Sequence, residues 1–148
     1  MENATISILL ADDDEGDRLL FKEALKEMKI NYNFHTVNNG IQLMEYLSEN
    51  PIFLPHLIFL DLNMPRKNGL ECLKEIRTDA NFNDISIAVY STSAAEKDIQ
   101  EAFLCGANVY IKKPNNFAKL KQVIFKVVTT ASLYQDKSFI RENFFLCI

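Results

Sequence analysis

The chain has 148 residues, 48% of them hydrophobic, and a formal net charge of −4. This length suits one domain, and the apolar fraction suffices for a packed core. A net negative charge provides no basic excess for the electrostatic capture of nucleic acid. No apolar run approaches the roughly 18 residues of a membrane span. We therefore expect one globular domain that binds neither nucleic acid nor membrane.

The cysteines and the first residues of the chain indicate the cellular compartment of the protein. The three cysteines are widely spaced and form no Cys-x-x-Cys pair, which argues against a disulfide framework and a zinc site. Residues 1–5 lack the basic residue and the long apolar core of a signal peptide. Both observations predict a cytoplasmic protein with reduced thiols.

Strand-like and helical segments alternate along the chain. The strand-like runs lie at about 5–11, 32–37, 56–61, 85–91 and 107–112. Segments of helical periodicity fill the intervals, and we expect their apolar stripes to be buried. These stripes include Leu19, Leu20, Ala24, Leu25, Ile41, Ala95 and Phe103. Such repeated βα units predict an α/β fold with a mainly parallel sheet.

Two predicted strands end in carboxylates. The run from His56 to Asp61 is too short for a helix, lies between Pro55 and Pro65, and reads as a buried strand. The first run ends in three aspartates, at positions 12–14. Ligands of parallel sheets gather at the carboxyl ends of strands, so we expect these carboxylates to share one crevice.

Clustered carboxylates need a cation, because like charges a few Å apart raise one another's pKa. Mg²⁺ takes oxygen ligands and is commonly held by one or two carboxylates together with phosphate oxygens. The pattern therefore predicts a site for Mg²⁺ and a phosphoryl group.

Residues 132–148 follow the last predicted helix and are too apolar for a disordered tail. Two alternatives remain open: this C-terminal extension packs on its own domain, or it contacts a partner.

Four segments together resemble the receiver domain of two-component response regulators. They are the first strand with its acidic residues, the third strand with its Met-Pro and Asn-Gly loop, the fourth strand with its hydroxyl residues, and the fifth strand with its lysine and proline. In this sequence they read ILLADDD (8–14), LDLNMP (60–65) with Asn68-Gly69, VYSTS (89–93) and GANVYIKKP (106–114). The resemblance implies a doubly wound five-stranded sheet of flavodoxin-like order 2-1-3-4-5, with helices on both faces. The receiver domain would span residues 1–131.

The resemblance also implies the roles of the acidic residues. Asp61 would be the phosphoacceptor, an aspartyl nucleophile. Asp13 would bind Mg²⁺ directly, Asp12 would act mainly through water, and Asp61 and the backbone carbonyl of Asn63 would complete the ligands. The run of aspartates leaves the register open by one residue, so Asp14 is either the cap of the first helix or a metal ligand.

The remaining site residues come from the fourth and fifth strands. By resemblance, Ser91 and Lys113 would contact phosphoryl oxygens, and Ser91 with Tyr110 would form the switch. A cis peptide bond before Pro114 is also implied.

The same resemblance implies the partners. A histidine kinase or phosphotransfer protein would supply the phosphoryl group, and a downstream protein would bind the face made by helix four, strand five and helix five. We expect a signalling domain that catalyses only its own phosphorylation and dephosphorylation. The aromatic segment 139–146 is expected to dock on this face, where it would support a homodimer.

Two other functions are considered. A phosphatase resembling the haloacid dehalogenase class also forms an aspartyl phosphate, but it needs an acid two residues after the nucleophile, and Asn63 occupies that position after Asp61. At the first strand Asp14 could be that acid, but Asp61 would then have no evident role. A receiver fold that is never phosphorylated would act only as a binding module. The presence of all five of its site residues argues against that module: Asp12, Asp13, Asp61, Ser91 and Lys113.

Overall fold

A computed structural model describes residues 5–147. Residues 1–4 of the predicted receiver domain (1–131) and residue 148 of the C-terminal extension (132–148) lie outside the described residues. Each βα unit of the chain contributes one strand and one helix. The elements in chain order are β1 (Ile6–Ala11), α1 (Glu15–Lys26), β2 (Tyr32–Val37), α2 (Gly40–Glu49), β3 (Leu57–Leu60), α3 (Gly69–Thr78), β4 (Ser86–Ser91), α4 (Glu96–Leu104), β5 (Val109–Lys112), α5 (Phe117–Thr129), α6 (Lys137–Glu142) and β6 (Phe145–Leu146).

The strands form one parallel sheet in the order β2-β1-β3-β4-β5-β6. The predicted α/β class and the order 2-1-3-4-5 are confirmed for the first five strands. The predicted number of five strands is wrong, because Phe145 and Leu146 add a sixth beside β5. A strand of two residues is too short for its periodicity to be read from sequence.

Helices cover both faces of the sheet. One apolar layer lies between the sheet and helices α1 and α5, with Phe21, Phe59 and Ile124 fully buried. The other lies under α2, α3 and α4 and includes Leu43 and Ile58. Because both faces are covered, β3 and β4 are buried along their whole lengths, as their apolar sequences predict. In the part of the chain that the structure describes, no helix combines the length and the hydropathy needed to cross a membrane.

Five apolar residues predicted to be buried are exposed: Leu19, Leu20, Ile41, Ala95 and Phe103. Leu19 and Leu20 of α1 expose 57% and 50% of their surface, and Phe103 of α4 exposes 39%. The buried stripe of α1 instead runs through Phe21 and its neighbours Ala24 and Leu25, at the i, i+3, i+4 spacing of one helix face. The prediction for α1 is therefore right for Ala24 and Leu25 and wrong for Leu19 and Leu20.

The C-terminal extension lies along the edge of β5. The Tyr110 N–H donates to the Phe144 carbonyl over 2.7 Å, and Tyr110 pairs with Phe145 in the β5–β6 register. The Phe144 ring is buried and meets the Phe103 ring edge-on, at 5.0 Å between centroids. Residues 144–146 thus cover a strand edge that would otherwise expose unpaired backbone groups.

A buried amide ties the start of the extension to the sheet. The Asn108 Nδ2 donates to the Tyr134 carbonyl, while its Oδ1 accepts from the Ile87 N–H and from Arg77, each over 2.7 Å. Arg77 also donates to three backbone carbonyls around it. Since buried polar groups are costly when unpaired, this network fixes the path of the chain after α5.

We expect Phe144→Ala to lower the free energy of unfolding by about 3 kcal/mol, since truncation of a buried phenylalanine leaves a cavity. The matched variant Phe145→Ala, at an aromatic with 43% of its surface exposed, should cost clearly less. Urea denaturation of both variants measures the difference. Equal losses would mean that Phe144 does not anchor the extension.

Candidate functional site

The carboxyl ends of four neighbouring strands bring the predicted site residues together. The Asp61 N–H donates to the Ala11 carbonyl over 2.9 Å, which sets the end of β3 beside the end of β1. The Lys113 N–H donates to the Ser91 carbonyl over 2.7 Å, which does the same for β5 and β4. Parallel pairing therefore places carboxylates, a hydroxyl and an ammonium at one edge of the sheet.

Three carboxylates form a compact acidic cluster. Oxygen atoms of Asp12, Asp13 and Asp61 all lie within 4.8 Å of one another. Asp12 is fully buried, Asp61 is nearly so, and Asp13 is exposed. Clustered carboxylate oxygens with one side open to solvent suit a hard divalent cation that keeps part of its water shell, so the donor set fits Mg²⁺.

Asp14 has another task. Its Oδ1 accepts from the Asp17 N–H over 3.0 Å at the N-terminus of α1, the usual geometry of a helix cap. Among residues 5–147, the acidic group that could hold a metal consists of Asp12, Asp13 and Asp61 and does not include Asp14.

The backbone after each strand partly neutralises the buried carboxylates. The Asp12 Oδ1 accepts from the Asp14 N–H over 3.0 Å, and the Asp61 Oδ1 accepts from the Asn63 N–H over 3.1 Å. Asn63, whose carbonyl is a predicted ligand, therefore lies in the loop that closes over Asp61. Its side chain is exposed.

Lys113 supplies the positive charge of the site. Its Nζ lies 2.9 Å from Asp12 Oδ2, 2.9 Å from Asp17 Oδ2 and 3.5 Å from Asp61 Oδ2, and 5.1 Å from the centroid of the Tyr90 ring. Burial lowers the pKa of Lys113, but hydrogen bonds to Asp17 and Asp12 and the nearby charges outweigh it, so the pKa is raised overall. The amine is therefore a permanent cation.

Asp61 is harder to ionise than an ordinary aspartate. Burial and, to a smaller extent, the charge of Asp12 raise its pKa to about 6, against the opposing effects of Lys113 and the Asn63 N–H. A single ammonium therefore does not offset the desolvation of this carboxylate and the repulsion from its neighbour. A second cation nearby would favour the ionised form of the group.

A glycine lets the loop after β3 close over the site. A Cβ atom on Gly69 would lie 2.2 Å from the Asp61 carbonyl oxygen and 2.8 Å from the Leu62 Cα. The Gly69 N–H donates to the Leu62 carbonyl over 2.9 Å, and Asn68 caps α3. The start of α3 is thus held against the backbone of Asp61, and only glycine fits there.

The predicted switch residues are linked through the loop after β4. Ser91 is fully buried, and its Oγ accepts from the Ser93 N–H over 3.1 Å. Tyr110 is also fully buried, and its hydroxyl donates to the Ser93 carbonyl over 3.0 Å. The Ser93 Oγ in turn donates to Asp98 of α4 over 2.6 Å. A movement of Ser91 would therefore disturb hydrogen bonds that reach both Tyr110 and α4.

Two residues near the cluster did not figure in the sequence prediction. Asp17 pairs with Lys113, and an Arg18 nitrogen donates to the Asp12 carbonyl over 2.8 Å. Both lie in the first turns of α1, and their closeness in sequence to the run of aspartates at 12–14 was the available signal. The peptide bond before Pro114 is trans, so the cis bond implied by the resemblance is not found.

Comparisons with known proteins identify the family of this chain. The sequence model of the response regulator receiver domain matches residues 8–125. The chain is 31% identical over 121 residues to response regulator Rcp1 of Synechocystis sp., covering 79% of this chain and 82% of that protein.

Two solved structures share the fold. The phosphorylated cyanobacterial phytochrome response regulator RcpA aligns with a TM-score of 0.81 and 34% identity, over 87% of this chain and 95% of that one. The Mn²⁺-bound form of Rcp1 aligns with a TM-score of 0.76 and 30% identity, over 84% and 92% of the two chains. With its parallel sheet and the family match over most of its length, this chain belongs to the response regulator receiver domains, which take phosphoryl groups from histidine kinases and signal to downstream targets.

Proposed function

We propose that this domain accepts one phosphoryl group on Asp61, in a Mg²⁺-dependent transfer from a histidine kinase or a phosphotransfer protein. One observation carries the proposal: the carboxylates of Asp12, Asp13 and Asp61 converge within 4.8 Å, and the Lys113 ammonium lies 3.5 Å from Asp61. Convergent acids beside a fixed cation suit the transfer of a negatively charged group.

The proposed chemistry is a displacement at phosphorus. A carboxylate oxygen of Asp61 forms a bond to phosphorus as the bond between phosphorus and the donor histidine nitrogen breaks, and the electron pair leaves with the imidazole. Lys113 places its charge on one phosphoryl oxygen, and the Ser91 hydroxyl donates to another. These groups position and neutralise, which is what phosphoryl transfer chiefly needs from a protein.

The proposed metal ligands are Asp13, Asp61 and the Asn63 carbonyl, with Asp12 acting through a bound water. Bound Mg²⁺ would neutralise the charge that develops on the phosphoryl oxygens. Oxygen donors suit both Mg²⁺ and Mn²⁺, and the similar protein Rcp1 has been solved with Mn²⁺. The raised pKa of Asp61 supports the need for such a cation.

We further propose that the chain catalyses only its own phosphorylation and dephosphorylation, in the cytoplasm. For a phosphatase with its nucleophile at Asp12, Asp14 would be the second acid, but the Asp14 carboxylate caps α1. For a nucleophile at Asp61, the residue two positions on is Asn63. The cysteines at 72, 105 and 147 are all free, in keeping with a reducing compartment.

The proposed output surface is the face made by α4, β5 and α5. A series of hydrogen bonds that joins Ser91, Ser93, Tyr110 and Asp98 supports this choice, because it links the site to both α4 and β5. Residues 144–146 already lie against this face. A downstream protein or a second copy of the chain would therefore bind a surface that includes β6.

Acetyl phosphate with Mg²⁺ should add one phosphoryl group to the wild-type chain and none to Asp61→Asn, because the variant lacks the nucleophile. Intact-mass spectrometry measures the addition. The matched control Asp84→Asn changes an exposed aspartate before β4, at the opposite end of the strand, and should be labelled normally. Labelling of Asp61→Asn to the wild-type extent would refute the assignment of the phosphoacceptor.

Mg²⁺ should stabilise the wild-type domain against unfolding, by about 2.7 kcal/mol at a concentration near one hundred times its dissociation constant. Asp13→Asn should lose most of this gain. Asp14→Asn should keep it, since asparagine also caps helices. Thermal unfolding with and without Mg²⁺ tests the register of the aspartates, and the opposite pattern would transfer the ligand role to Asp14.

Phosphorylation is expected to promote a homodimer through the output face, and Phe145→Ser should weaken that dimer because Phe145 is an exposed aromatic of β6. Sedimentation velocity with and without acetyl phosphate and Mg²⁺ measures association. Ile52→Ser, which changes an exposed apolar residue in the loop between α2 and β3, is the control. A phosphorylated wild type that remains monomeric would exclude the dimer.

A further inference from the structure

Three carboxylates share the ammonium of Lys113, and one of them stands outside the acidic cluster. The Asp12 and Asp17 oxygens both lie 2.9 Å from Lys113 Nζ, and the Asp61 oxygen lies 3.5 Å away. A lysine ammonium has three N–H donors, so these carboxylates use all of them. Asp12 and Asp61 belong to the acidic cluster, whereas Asp17 does not.

Asp17 is well placed to hold the amine. It lies in the first turn of α1, where its backbone N–H bonds to the Asp14 cap. Its side chain is 35% exposed, compared with 0% for Asp12 and 8% for Asp61, so it is the most accessible of the three partners. The centroid of the Tyr90 ring lies 5.1 Å from the same nitrogen. Lys113 therefore contacts an aromatic ring as well as three acids.

The other two partners of Lys113 have competing tasks in the proposed function. Both Asp12 oxygens are already engaged, Oδ1 by the Asp14 N–H and Oδ2 by Lys113. Each oxygen can accept a further contact, but the ammonium on Oδ2 competes electrostatically with a divalent cation for this carboxylate. Asp61 would have to exchange its contact with the amine for a bond to phosphorus. Asp17 alone has no second task of this kind.

We propose that Asp17 is a positioning residue that anchors Lys113 on the α1 side of the site, so that the amine can release Asp12 and still remain beside Asp61. This inference rests on the proposed function. It gives Asp17 an indirect role: its carboxylate holds the ammonium that would otherwise compete with a divalent cation for the carboxylates of the cluster.

The role predicts a specific weakening of Mg²⁺ binding. Asp17→Asn removes the anchor, so Lys113 binds Asp12 and Asp61 more fully, and Mg²⁺ affinity should fall several-fold. Asp17→Glu retains a carboxylate and should stay near the wild-type affinity. Glu15→Gln removes one charge from the same helical turn without a Lys113 contact and controls for net charge. Isothermal titration calorimetry in about 0.15 M salt, where the Debye length is about 8 Å, limits long-range charge effects.

A double-mutant cycle separates the proposed role from a direct effect of charge on the metal. In a Lys113→Met background there is no amine to anchor, so Asp17→Asn should weaken Mg²⁺ binding no more than Glu15→Gln does. Equal losses in the wild-type and Lys113→Met backgrounds would overturn the inference, and so would wild-type affinity in Asp17→Asn. A wild-type chain that binds no Mg²⁺ would instead contradict the proposed function itself. Circular dichroism of each variant verifies its fold.

Discussion

The electrostatics of Asp12 and Asp61 constrain the rest of the site. Both carboxylates lie at strand ends almost out of contact with water, and like charges in such surroundings repel by several kcal/mol. Lys113 relieves part of this repulsion from a position 101 residues away along the chain from Asp12. The pKa of Asp61 stays raised chiefly because of burial, and the charge of Asp12 adds to the effect. The site therefore favours the binding of further positive charge.

The sheet order explains how one lysine reaches both acids. Because β4 lies between β3 and β5, the Lys113 side chain crosses β4 to reach Asp61 and Asp12. The Tyr90 ring of β4 lies beneath the ammonium and belongs to the apolar layer under α1 and α5. That is the side from which Asp17 of α1 approaches. The same geometry that lets Lys113 reach the acids thus brings α1 into the site.

Tyr110 connects this site to the C-terminal extension. Its hydroxyl bonds to the loop that holds Ser91, while its backbone N–H bonds to Phe144. The Phe144 and Phe145 rings lie 6.5 Å and 6.0 Å from the Tyr110 ring. If Tyr110 reorients together with Ser91, its ring moves against the rings of Phe144 and Phe145. The C-terminal extension is therefore structurally coupled to the proposed switch. This arrangement is consistent with an output surface that includes β6.

The sequence by itself determined the strand-by-strand organisation and which residues converge at the carboxyl edge. Short apolar runs ending in aspartate, serine or lysine carry that information locally, because a parallel sheet collects its strand ends at one edge. Only the tertiary structure decided that Asp14 caps a helix, that Asp17 holds Lys113 and that β6 extends the sheet. Each of these depends on which group lies nearest in space. In the sequence Asp17 looks like any acidic residue in the first turn of a helix, because its partner Lys113 follows β5, far along the chain. Phe145 and Leu146 form a strand only because they pair with the edge of β5.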